Sequence, residues 1–422
     1  RRKDVLFERC EPKFDNVEES FIDNNDAQEE AVRSAVAAED LALIHGPPGT
    51  GKTYTIARAV RALVERGERV LLSAFTNRAV DNCIEALEEQ DFTDVVRYGT
   101  ESGVRDDMQA YRLERRGDPA ECAAELEDAQ VVAATTAACG SRALREMDFD
   151  VAVVDEAAQL TEPGTLAAVN LADRFVLVGD HRQLPPVVRS DGDASLPGGE
   201  NGSDGDADGG DHDHDHDLSR SLFERMNDAY PEASTLLDRQ YRMAQRVQAF
   251  PSEEFYDGQL RPAGPAVASQ RLDDLPGVDE SRLPETLQDQ VAFIDVRGDE
   301  GRHTDTDEAE RVAEIVESFS NAGVGLGDVG VIAPYRAQVA EIGKRVPDRV
   351  AVDTVDRFQG SAKEVIIVSF VATGDLDGPI FEDHRRMNVA ITRARRALVL
   401  VGDADALGTD PVYGRMVEWA DA

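Results

Sequence analysis

The chain is poor in lysine: of its 45 basic residues only five are lysine, and the others are arginine. Acidic residues number 84, so the formal net charge is −39. Proteins that handle nucleic acid usually carry basic patches, and this overall charge runs against that pattern. An acidic surface with few lysines is typical of adaptation to a very salty cytoplasm, where acidic side chains keep a protein soluble. Net charge therefore predicts a halophilic protein and does not decide its partners.

Cysteine and long apolar runs are also scarce. The four cysteines (Cys10, Cys83, Cys122 and Cys139) show no CxxC spacing and no paired histidines, which argues against a zinc site and a disulfide framework. No apolar run approaches the roughly 20 residues that a membrane span needs. No charged-then-apolar leader opens the chain. These absences predict a cytoplasmic protein without a membrane partner.

One stretch lacks the apolar residues that a core requires. Residues 190–217 are dominated by Gly, Asp and Ser and end in an alternating His-Asp tract at 211–217. Such a composition cannot bury a core, so we predict an acidic disordered loop. The histidines also match transition-metal ligands. A solvated charge run is the interpretation that we favour.

What the chain does contain is a complete phosphate-binding sequence, GPPGTGKT, at residues 46–53. An apolar run at 41–44 precedes it and a helical pattern at 56–63 follows, which is the strand, turn and helix setting that this pattern requires. Glycines let backbone N–H groups approach phosphates, a lysine adds a mobile charge, and a threonine hydroxyl binds Mg²⁺. We predict a nucleoside triphosphate site at Gly46, Pro47, Gly49, Thr50, Gly51, Lys52 and Thr53.

Further apolar segments of the first half end in polar residues. The segment at 151–154 leads into Asp155, expected to hold Mg²⁺ through its water shell, and Glu156, expected to accept a proton from the attacking water. The segment at 175–178 leads to Gln183, placed to sense the γ-phosphate. Ligands of open parallel sheets bind at the carboxyl ends of the strands.

The second half repeats the alternation of strands and helices without a second phosphate loop. Its apolar segments lie at 234–237, 291–296, 329–333, 350–355, 365–371 and 397–401. We therefore predict two consecutive α/β units with buried parallel strands. The second unit offers arginines instead of a phosphate loop. If the units face each other, Arg242 and Arg393 would neutralise transition-state charge.

Taken in series, the motifs resemble those of superfamily 1B helicases, the group with the nonsense-mediated-decay helicase, the immunoglobulin-mu-binding helicase and the replication helicase-nuclease. They follow the family's order between about residues 22 and 405, and the combination is very specific. The motifs that carry the resemblance are Asn25 with Gln28, GPPGTGKT at 46, TNRAVD at 76, DEAAQ at 155, GDHRQLPP at 179, QYRM at 240, PYRAQ at 334, VDRFQG at 355 and NVAITRAR at 388.

The resemblance implies two RecA-like domains with ATP between them and single-stranded nucleic acid across their top. The implied organisation is the end of an upstream domain or stalk at 1–22, a first RecA-like domain at 23–189 with a small helical insertion near 100–128, the acidic loop at 190–217, and a second RecA-like domain at 218–422. Ala362 departs from the pattern, because the family usually has an acidic residue there. One nucleotide-coupling contact is thus absent unless Glu364 replaces it.

Carried over position by position, the resemblance also implies residue roles. Asn25 and Gln28 serve the adenine, Tyr241 packs near the base, and Gly360 adjoins the nucleotide. Phosphates and Mg²⁺ fall to Lys52, Thr53, Asp155, Glu156 and Gln183. Arg242 and Arg393 become arginine fingers. Strand contacts fall on Thr76, Asn77, Thr135, Pro334, Tyr335 and Thr354.

The sequence thus predicts an ATP- and Mg²⁺-dependent helicase that moves 5′→3′ on single-stranded DNA as a monomer. An ATP-driven remodeller of RNA or nucleoprotein that unwinds little is the alternative. A metabolic kinase or GTPase is disfavoured, because we find neither an acceptor pocket nor a guanine-reading Asn-Lys-x-Asp motif. Backbone and stacking contacts do not require the 2′-hydroxyl to be read, so DNA is favoured over RNA only through the resemblance to repair helicases.

Overall fold

The structure is a computed structural model that describes residues 1–113, 119–187, 220–298, 303–358, 360–372, 376 and 378–422. Its strands are β1 Leu41–His45, β2 Val70–Ala74, β3 Val95–Tyr98, β4 Val131–Thr135, β5 Phe149–Asp155, β6 Ala172–Gly179, β7 Ser234–Leu236, β8 Arg239–Gln240, β9 Arg261–Pro262, β10 Val291–Asp295, β11 Val329–Ala333, β12 Ala351–Thr354, β13 Lys363–Ser369 and β14 Ala394–Gly402.

Helices surround these strands. The α-helices are α1 Arg2–Leu6, α2 Asp26–Ala37, α3 Lys52–Glu65, α4 Asn77–Glu88, α5 Pro119–Asp128, α6 Thr136–Cys139, α7 Arg142–Arg145, α8 Glu162–Val169, α9 Leu222–Ala229, α10 Gln245–Phe255, α11 Pro265–Ala268, α12 Thr306–Asn321, α13 Arg336–Gly343, α14 Val355–Phe358, α15 Pro379–Glu382, α16 His384–Ile391, α17 Ala404–Leu407 and α18 Pro411–Asp421. Short 3-10 helices lie at Glu101–Gly103, Asp106–Tyr111, Ala157–Gln159, Pro231–Ala233, Leu272–Asp274, Glu280–Arg282, Glu285–Leu287 and Leu326–Asp328.

Seven parallel strands form the first sheet, in the order β3-β4-β2-β5-β6-β1-β7. One apolar cluster packs α2, α3 and α4 on one face, and a second packs α8 and α9 on the other. Because both faces are covered, the central strands are apolar along nearly their whole length, and Val70–Ala74 is buried throughout. The sheet is the scaffold of a doubly covered α/β unit.

A second sheet of five parallel strands has the order β10-β14-β13-β11-β12. Helices α10, α16 and α18 pack on one face, while α12 and α13 pack on the other. The predicted fold class, two consecutive α/β units with parallel sheets, is confirmed.

The structure packs the first elements after the predicted boundary at residue 218 with the first sheet. Helix α9 packs in the core of the first sheet, and β7 pairs with β1, with Leu43 opposite Ser234 and His45 opposite Leu236. The apolar segment at 234–237 therefore completes the first sheet instead of starting the second. Its local sequence is that of any buried strand, and only long-range pairing decides which sheet it joins.

The structure describes only part of the predicted helical insertion and none of the predicted acidic loop. The insertion at 100–128 contains two 3-10 helices and α5, with residues 114–118 outside the described part. The acidic loop at 190–217 and its His-Asp tract also lie outside the described residues. Residues 1–22 pack against the first unit: Val5 is fully buried, and its carbonyl accepts a hydrogen bond from the Tyr230 hydroxyl. None of the described helices is long and apolar enough to cross a membrane.

Candidate active site

The phosphate loop connects β1 to α3 in a conformation that requires glycine at two positions. Gly49 and Gly51 have φ of 77° and 79°, in the left-handed region that favours glycine. A Cβ at Gly49 would lie 2.6 Å from Cβ of Arg242, and a Cβ at Gly51 would lie 2.7 Å from Nε2 of Gln28. Lys52 donates from Nζ to the Gly46 carbonyl at 2.6 Å. The loop is shaped as a cradle open at α3, whose N-terminus favours an anion.

A cavity of about 390 Å³ lies over this loop, between the two units. In the first sheet its walls come from neighbouring strands, because β1, β6 and β5 are adjacent and each is followed by predicted site residues. The chain entering α10 and the segments before β13 and β14 form the opposite wall. The lining residues are Pro47, Pro48, Gly49, Thr50, Gly51, Lys52, Thr53, Ala79, Asn82, Asp155, Glu156, Gln183, Tyr241, Arg242, Gly360, Arg393 and Arg395.

Two adjacent carboxylates end β5. Asp155 is 4% exposed, and its carboxylate accepts the Glu156 backbone N–H at 2.8 Å. Burial and the neighbouring Glu156 charge raise the pKa of Asp155 to about 7, although the Lys52 charge opposes this. A divalent cation between this carboxylate and Thr53 would offset both causes. The donor set, a carboxylate and a hydroxyl, is one that Mg²⁺ accepts.

Glu156 has φ of 52° and ψ of 34°, a left-handed backbone that a residue with a long side chain rarely adopts. Gln159 donates from Nε2 to Oε2 of Glu156 at 2.6 Å, so the carboxylate is held from one side. Backbone strain of this kind persists where the surrounding structure imposes it, and it concentrates at functional sites. In this left-handed conformation the Glu156 side chain lines the cavity.

Gln183 reaches the cavity from the turn after β6. It is 7% exposed and donates from Nε2 to Oδ2 of Asp180 at 2.7 Å. A ring nitrogen of His45 lies 3.0 Å from the other oxygen of Asp180. Burial alone would raise the pKa of Asp180, but hydrogen bonds and the charges of His45 and Lys52 hold it well below its usual range. The Gln183 amide is therefore oriented by an ionised, buried carboxylate.

Three arginines of the second unit converge on the cavity. Arg393 is 2% exposed and donates to the Val389 carbonyl at 2.9 Å, and burial lowers its pKa to about 10. Burial, together with Arg393 and Arg395, also lowers the pKa of Arg242. Within the described part of the chain, Arg395 pairs with Glu364 at 3.7 Å, whereas no carboxylate forms an ion pair with Arg242 or Arg393. The two unneutralised guanidiniums suit an anion between the units.

Two family models, each described as an AAA domain, match the chain, one over residues 218–405 and the other over residues 23–120 and 115–191. An uncharacterized ATP-dependent helicase of Methanocaldococcus jannaschii is 30% identical, and the match covers 97% of this chain and 72% of that protein. The chain belongs to the superfamily 1 helicases.

Other relatives are longer. The DNA replication ATP-dependent helicase/nuclease of Arabidopsis thaliana is 34% identical over 92% of this chain but only 29% of its own length. The DNA-binding protein SMUBP-2 of Mesocricetus auratus is 31% identical over 93% of this chain but only 44% of its own length. The chain thus spans less than half of these two proteins. Among solved structures, arterivirus nonstructural protein 10 (helicase) matches with a TM-score of 0.48 and 18% identity. The match covers 91% of this chain and 63% of the viral chain, and a likeness this weak supports no argument.

Three predicted nucleotide residues of this superfamily 1 helicase, Asn25, Gln28 and Gly46, do not line the cavity. The Gln28 amide donates to the Thr50 carbonyl at 3.0 Å and accepts from Asn24 at 2.6 Å. Asn25 caps α2 and donates to the Tyr241 hydroxyl at 2.8 Å. The Lys52 side chain packs directly against Gly46, where an added Cβ would lie 2.2 Å from Cγ of Lys52. Each polar atom of the Gln28 amide can form one more hydrogen bond. Because Gln28 is only 1% exposed, an adenine would reach it only if neighbouring residues move.

In the first unit the predicted strand contacts stand at the carboxyl ends of β2 and β4. Thr76 and Thr135 cap α4 and α6, accepting from backbone N–H groups at 3.2 and 3.3 Å. Each hydroxyl proton remains available, because a hydroxyl both donates and accepts. Asn77 is exposed, and its Oδ1 accepts from Nη2 of buried Arg97 at 2.8 Å. This leaves the amide nitrogen as the group that Asn77 presents to a ligand.

In the second unit the predicted strand contacts also stand at carboxyl ends. Pro334 and Tyr335 follow β11, and Thr354 ends the neighbouring β12, opposite Ala333. The Tyr335 ring lies 4.7 Å from the His303 ring, centroid to centroid. All three residues are partly exposed. The structure thus groups them at one edge of the second sheet.

Several residues escaped the sequence reasoning. Asn82, Arg395 and Pro48 line the cavity, and Tyr256 bonds to Asp180 from the second unit. Asn82 lies three residues after Ala79, a member of the TNRAVD segment that also lines the cavity, so both residues share one face of α4. Asn82 could have been predicted from this spacing. Tyr256 had no local signal, because it follows α10 outside every motif that the sequence shows. Gln359 of the VDRFQG motif lies outside the described residues.

The substitution at Ala362 leaves Glu364 as the nearest acidic replacement. The Glu364 carboxylate accepts from Nε of Arg396 at 2.8 Å and lies 3.7 Å from Arg395. It does not line the cavity, whereas Arg395 does. Of its two arginine partners, Arg395 alone reaches the cavity, so Glu364 can act on the site through Arg395.

Proposed function

We propose that the chain is an ATP-driven translocase of the superfamily 1B group that moves 5′→3′ along single-stranded DNA and separates duplexes. The observation that carries the proposal is the composition of the cavity. One wall is a phosphate loop with two carboxylates, and the other supplies Arg242 and Arg393. Neither unit has both sets, so hydrolysis requires the two to approach each other.

At the first unit, the phosphate loop and Lys52 bind the triphosphate, and Thr53 with Asp155 would hold Mg²⁺. A cation held there would neutralise phosphate charge. Glu156, fixed by Gln159, accepts the proton of the attacking water. Gln183 orients that water or the γ-phosphate. Arg242 and Arg393 stabilise the charge that develops in transfer, which makes turnover depend on the second unit.

Movement along a strand follows from the placement of the two groups of strand contacts. Thr76, Asn77 and Thr135 belong to the first sheet, whereas Tyr335 and Thr354 belong to the second. When arginines of one unit close on phosphates held by the other, the spacing between the groups changes. Alternate release of one group would then advance the strand. The preference for DNA and the polarity rest on the family resemblance and on relatives named for DNA.

The decisive experiment measures ATP hydrolysis with matched DNA and RNA oligomers and strand displacement from 5′-tailed and 3′-tailed duplexes. We expect stimulation by single-stranded DNA and displacement from the 5′ tail, with the inactive Glu156→Gln variant as the background. Stimulation by RNA alone would favour the RNA remodeller. Displacement only from the 3′ tail would reverse the polarity. Stripping of bound protein without strand separation would identify a nucleoprotein remodeller.

We also infer that the protein works in concentrated salt as a monomer, since its net charge is −39 and only five of its basic residues are lysine. Phosphate contacts weaken steeply as salt rises, so strand binding would depend on stacking and hydrogen bonds. Greatest activity and stability below about 0.2 M salt, where the Debye length is still about 8 Å, would contradict this inference.

A further inference from the structure

Tyr256 joins the two units at a point hidden from the cavity. It follows α10 in the second unit and is 3% exposed. Its hydroxyl donates to Oδ2 of Asp180 in the first unit at 2.8 Å and accepts from Nδ2 of Asn388 at 2.9 Å. The directions are fixed, because an ionised carboxylate can only accept and an amide nitrogen can only donate. Tyr256 is absent from the lining of the cavity.

Both partners of Tyr256 lead to predicted γ-phosphate residues. On one side, the same oxygen of Asp180 accepts from Nε2 of Gln183 at 2.7 Å. On the other, the Asn388 carbonyl accepts from the Thr392 hydroxyl at 2.7 Å. That hydroxyl oxygen accepts from Nη2 of Arg393 at 3.2 Å.

These contacts form a closed ring, because Nη2 of Arg393 also lies 3.4 Å from Oε1 of Gln183. The ring crosses between the units twice, at Tyr256–Asp180 and at Arg393–Gln183. Beside the ring, Nδ2 of Asn388 also donates to the Arg182 carbonyl of the first unit at 2.7 Å. All members of the ring are buried. The second crossing is the longer and weaker, and it stands where a γ-phosphate would enter. The first crossing is short, charge-assisted and away from the nucleotide, so it persists when the phosphate separates Gln183 from Arg393.

We propose that Tyr256 is a positioning residue that sets the separation between Gln183 and Arg393 and couples closure of the units to the γ-phosphate. This inference rests on the proposed function. Its hydroxyl fixes Asp180, and so the Gln183 amide, to the helix α16 that ends before Arg393. Without the hydroxyl, Asp180 loses its direct bond to the second unit, and the Asn388–Arg182 bond alone ties this turn to α16. ATP keeps all its direct contacts.

The test is Tyr256→Phe, which removes the hydroxyl oxygen and leaves the aromatic side chain in place. We expect kcat to fall at least about tenfold and KM for ATP to stay within about twofold, because misplaced groups affect the transition state more than the ground state. Tyr230→Phe is the matched control: its hydroxyl is also buried, but its one proton is shared between the Val5 and Cys10 carbonyls. The control should retain kcat within about twofold.

A double-mutant cycle separates positioning from stability. If Tyr256 acts through Gln183, then Tyr256→Phe should cost little more in a Gln183→Ala background, whereas independent effects would multiply. Asn388→Ala removes the donor to both Tyr256 and the Arg182 carbonyl, so its loss of kcat should be at least as large. Strand affinity with and without a non-hydrolysable ATP analogue should differ in the parent protein and differ less in Tyr256→Phe.

Three results would overturn the inference: an unchanged kcat, a rise in KM alone, or multiplicative losses in the cycle. The proposed function fails separately, if the parent protein hydrolyses ATP without any response to single strands. Hydrolysis in the absence of strands would still test Tyr256 in that case, because the ring contains only residues that face ATP or support those that do.

Discussion

The two units share a parallel-sheet design but line the cavity between them with opposite edges. In the first unit, the phosphate loop, Asp155 and Gln183 follow strands, at the carboxyl edge of the sheet. In the second unit, Gly360 and Arg393 precede β13 and β14, at the amino edge. The predicted strand contacts, by contrast, lie at the carboxyl edge in both units. Three of these four predicted surfaces therefore follow the rule that ligands bind at carboxyl edges.

The exception has a chemical reason. A carboxyl edge leads into helix N-termini, which bind anions through backbone N–H groups, as the loop before α3 does. The second unit supplies guanidiniums instead, and a long arginine side chain does not need a helix N-terminus behind it. In the proposed mechanism, one unit therefore binds the phosphates, and the other contributes only on approach. Each prediction below alters one side of this contrast.

The largest effect is expected at the first unit's carboxylate edge. Glu156→Gln should lower kcat at least about 10²-fold, because the amide cannot accept the proton of the attacking water. ATP binding should persist, since the phosphate contacts remain. Lys52→Ala should also stop turnover, but through weaker ATP affinity. Steady-state hydrolysis and equilibrium binding of a fluorescent ATP analogue distinguish the two.

The matched control is Glu162→Gln, which changes a carboxylate on α8 that pairs with Arg225 outside the cavity. It should hydrolyse ATP at the parent rate. Hydrolysis by Glu156→Gln at more than roughly a tenth of the parent rate would reject the general-base role.

The second unit's contribution should be smaller but specific to turnover. Arg242→Ala and Arg393→Ala should each lower kcat by roughly 10- to 10³-fold, because a missing guanidinium exposes transition-state charge. Ground-state ATP binding should change less, since the first unit holds the phosphates. Arg396→Ala is the control: this arginine pairs with Glu364 at 2.8 Å and does not line the cavity. Equal losses in all three variants would mean that the arginines serve folding only.

How far the sequence predicts this site depends on the range of the information. The phosphate loop, Asp155 and Glu156 are read from adjacent residues, and the cavity contains them. Arg393 was assigned through a motif, and the structure brings it to within 3.4 Å of Gln183. Tyr256 could not be found, because its partners lie 76 and 132 residues away and no local pattern marks it.

The fold shows the same limit. Buried strands were predicted well, because an apolar run between turns is a local signal. Strand β3 was missed, because Val95–Tyr98 has only four residues and the buried Arg97 interrupts its apolar run. Sheet membership of β7 was misassigned, since pairing with β1 is a contact between distant segments. Sequence patterns identify elements, and tertiary contacts decide where they go.

The third prediction concerns the first unit's strand contacts. Because Oδ1 of Asn77 is engaged by Arg97, the amide nitrogen is what remains for an acceptor such as a phosphate oxygen. Asn77→Asp keeps the bond to Arg97 but replaces the donor with a negative charge. Its affinity for single strands should therefore fall more than that of Asn77→Ala, which we expect to fall by about tenfold or less.

Fluorescence anisotropy of a labelled oligonucleotide measures both affinities, and Asn227→Ala, a partly buried asparagine that accepts from Ser234, is the control. If the aspartate variant binds as tightly as the parent protein, Asn77 does not present its donor to the strand. Rates of strand-free hydrolysis should be equal in all four proteins.

The smallest effect is expected at a buried carboxyl of the second unit, and it concerns stability alone. Glu308 is fully buried; one oxygen accepts from the Ser369 hydroxyl and the Val371 N–H, and the other finds no partner in the described part of the chain. Burial raises the pKa of Glu308 to about 8, although those hydrogen bonds oppose it. Asp180, the corresponding buried carboxyl of the first unit, has the opposite shift because donors surround both of its oxygens.

A raised pKa means that the folded state holds the Glu308 proton more tightly than the unfolded chain does. The resulting stabilisation is complete below the unfolded pKa of about 4.3 and is lost as the pH rises through about 8. Glu308→Gln cannot ionise, so its stability relative to the parent protein should increase from pH 5 to pH 8, by about 1 kcal/mol or more. Urea unfolding midpoints at several pH values measure this difference. Glu317→Gln on the exposed side of α12 corrects for removing one charge from a chain of net charge −39. A difference between the two variants that stays constant with pH would show that Glu308 ionises normally, and the contrast between the two buried carboxyls would then disappear.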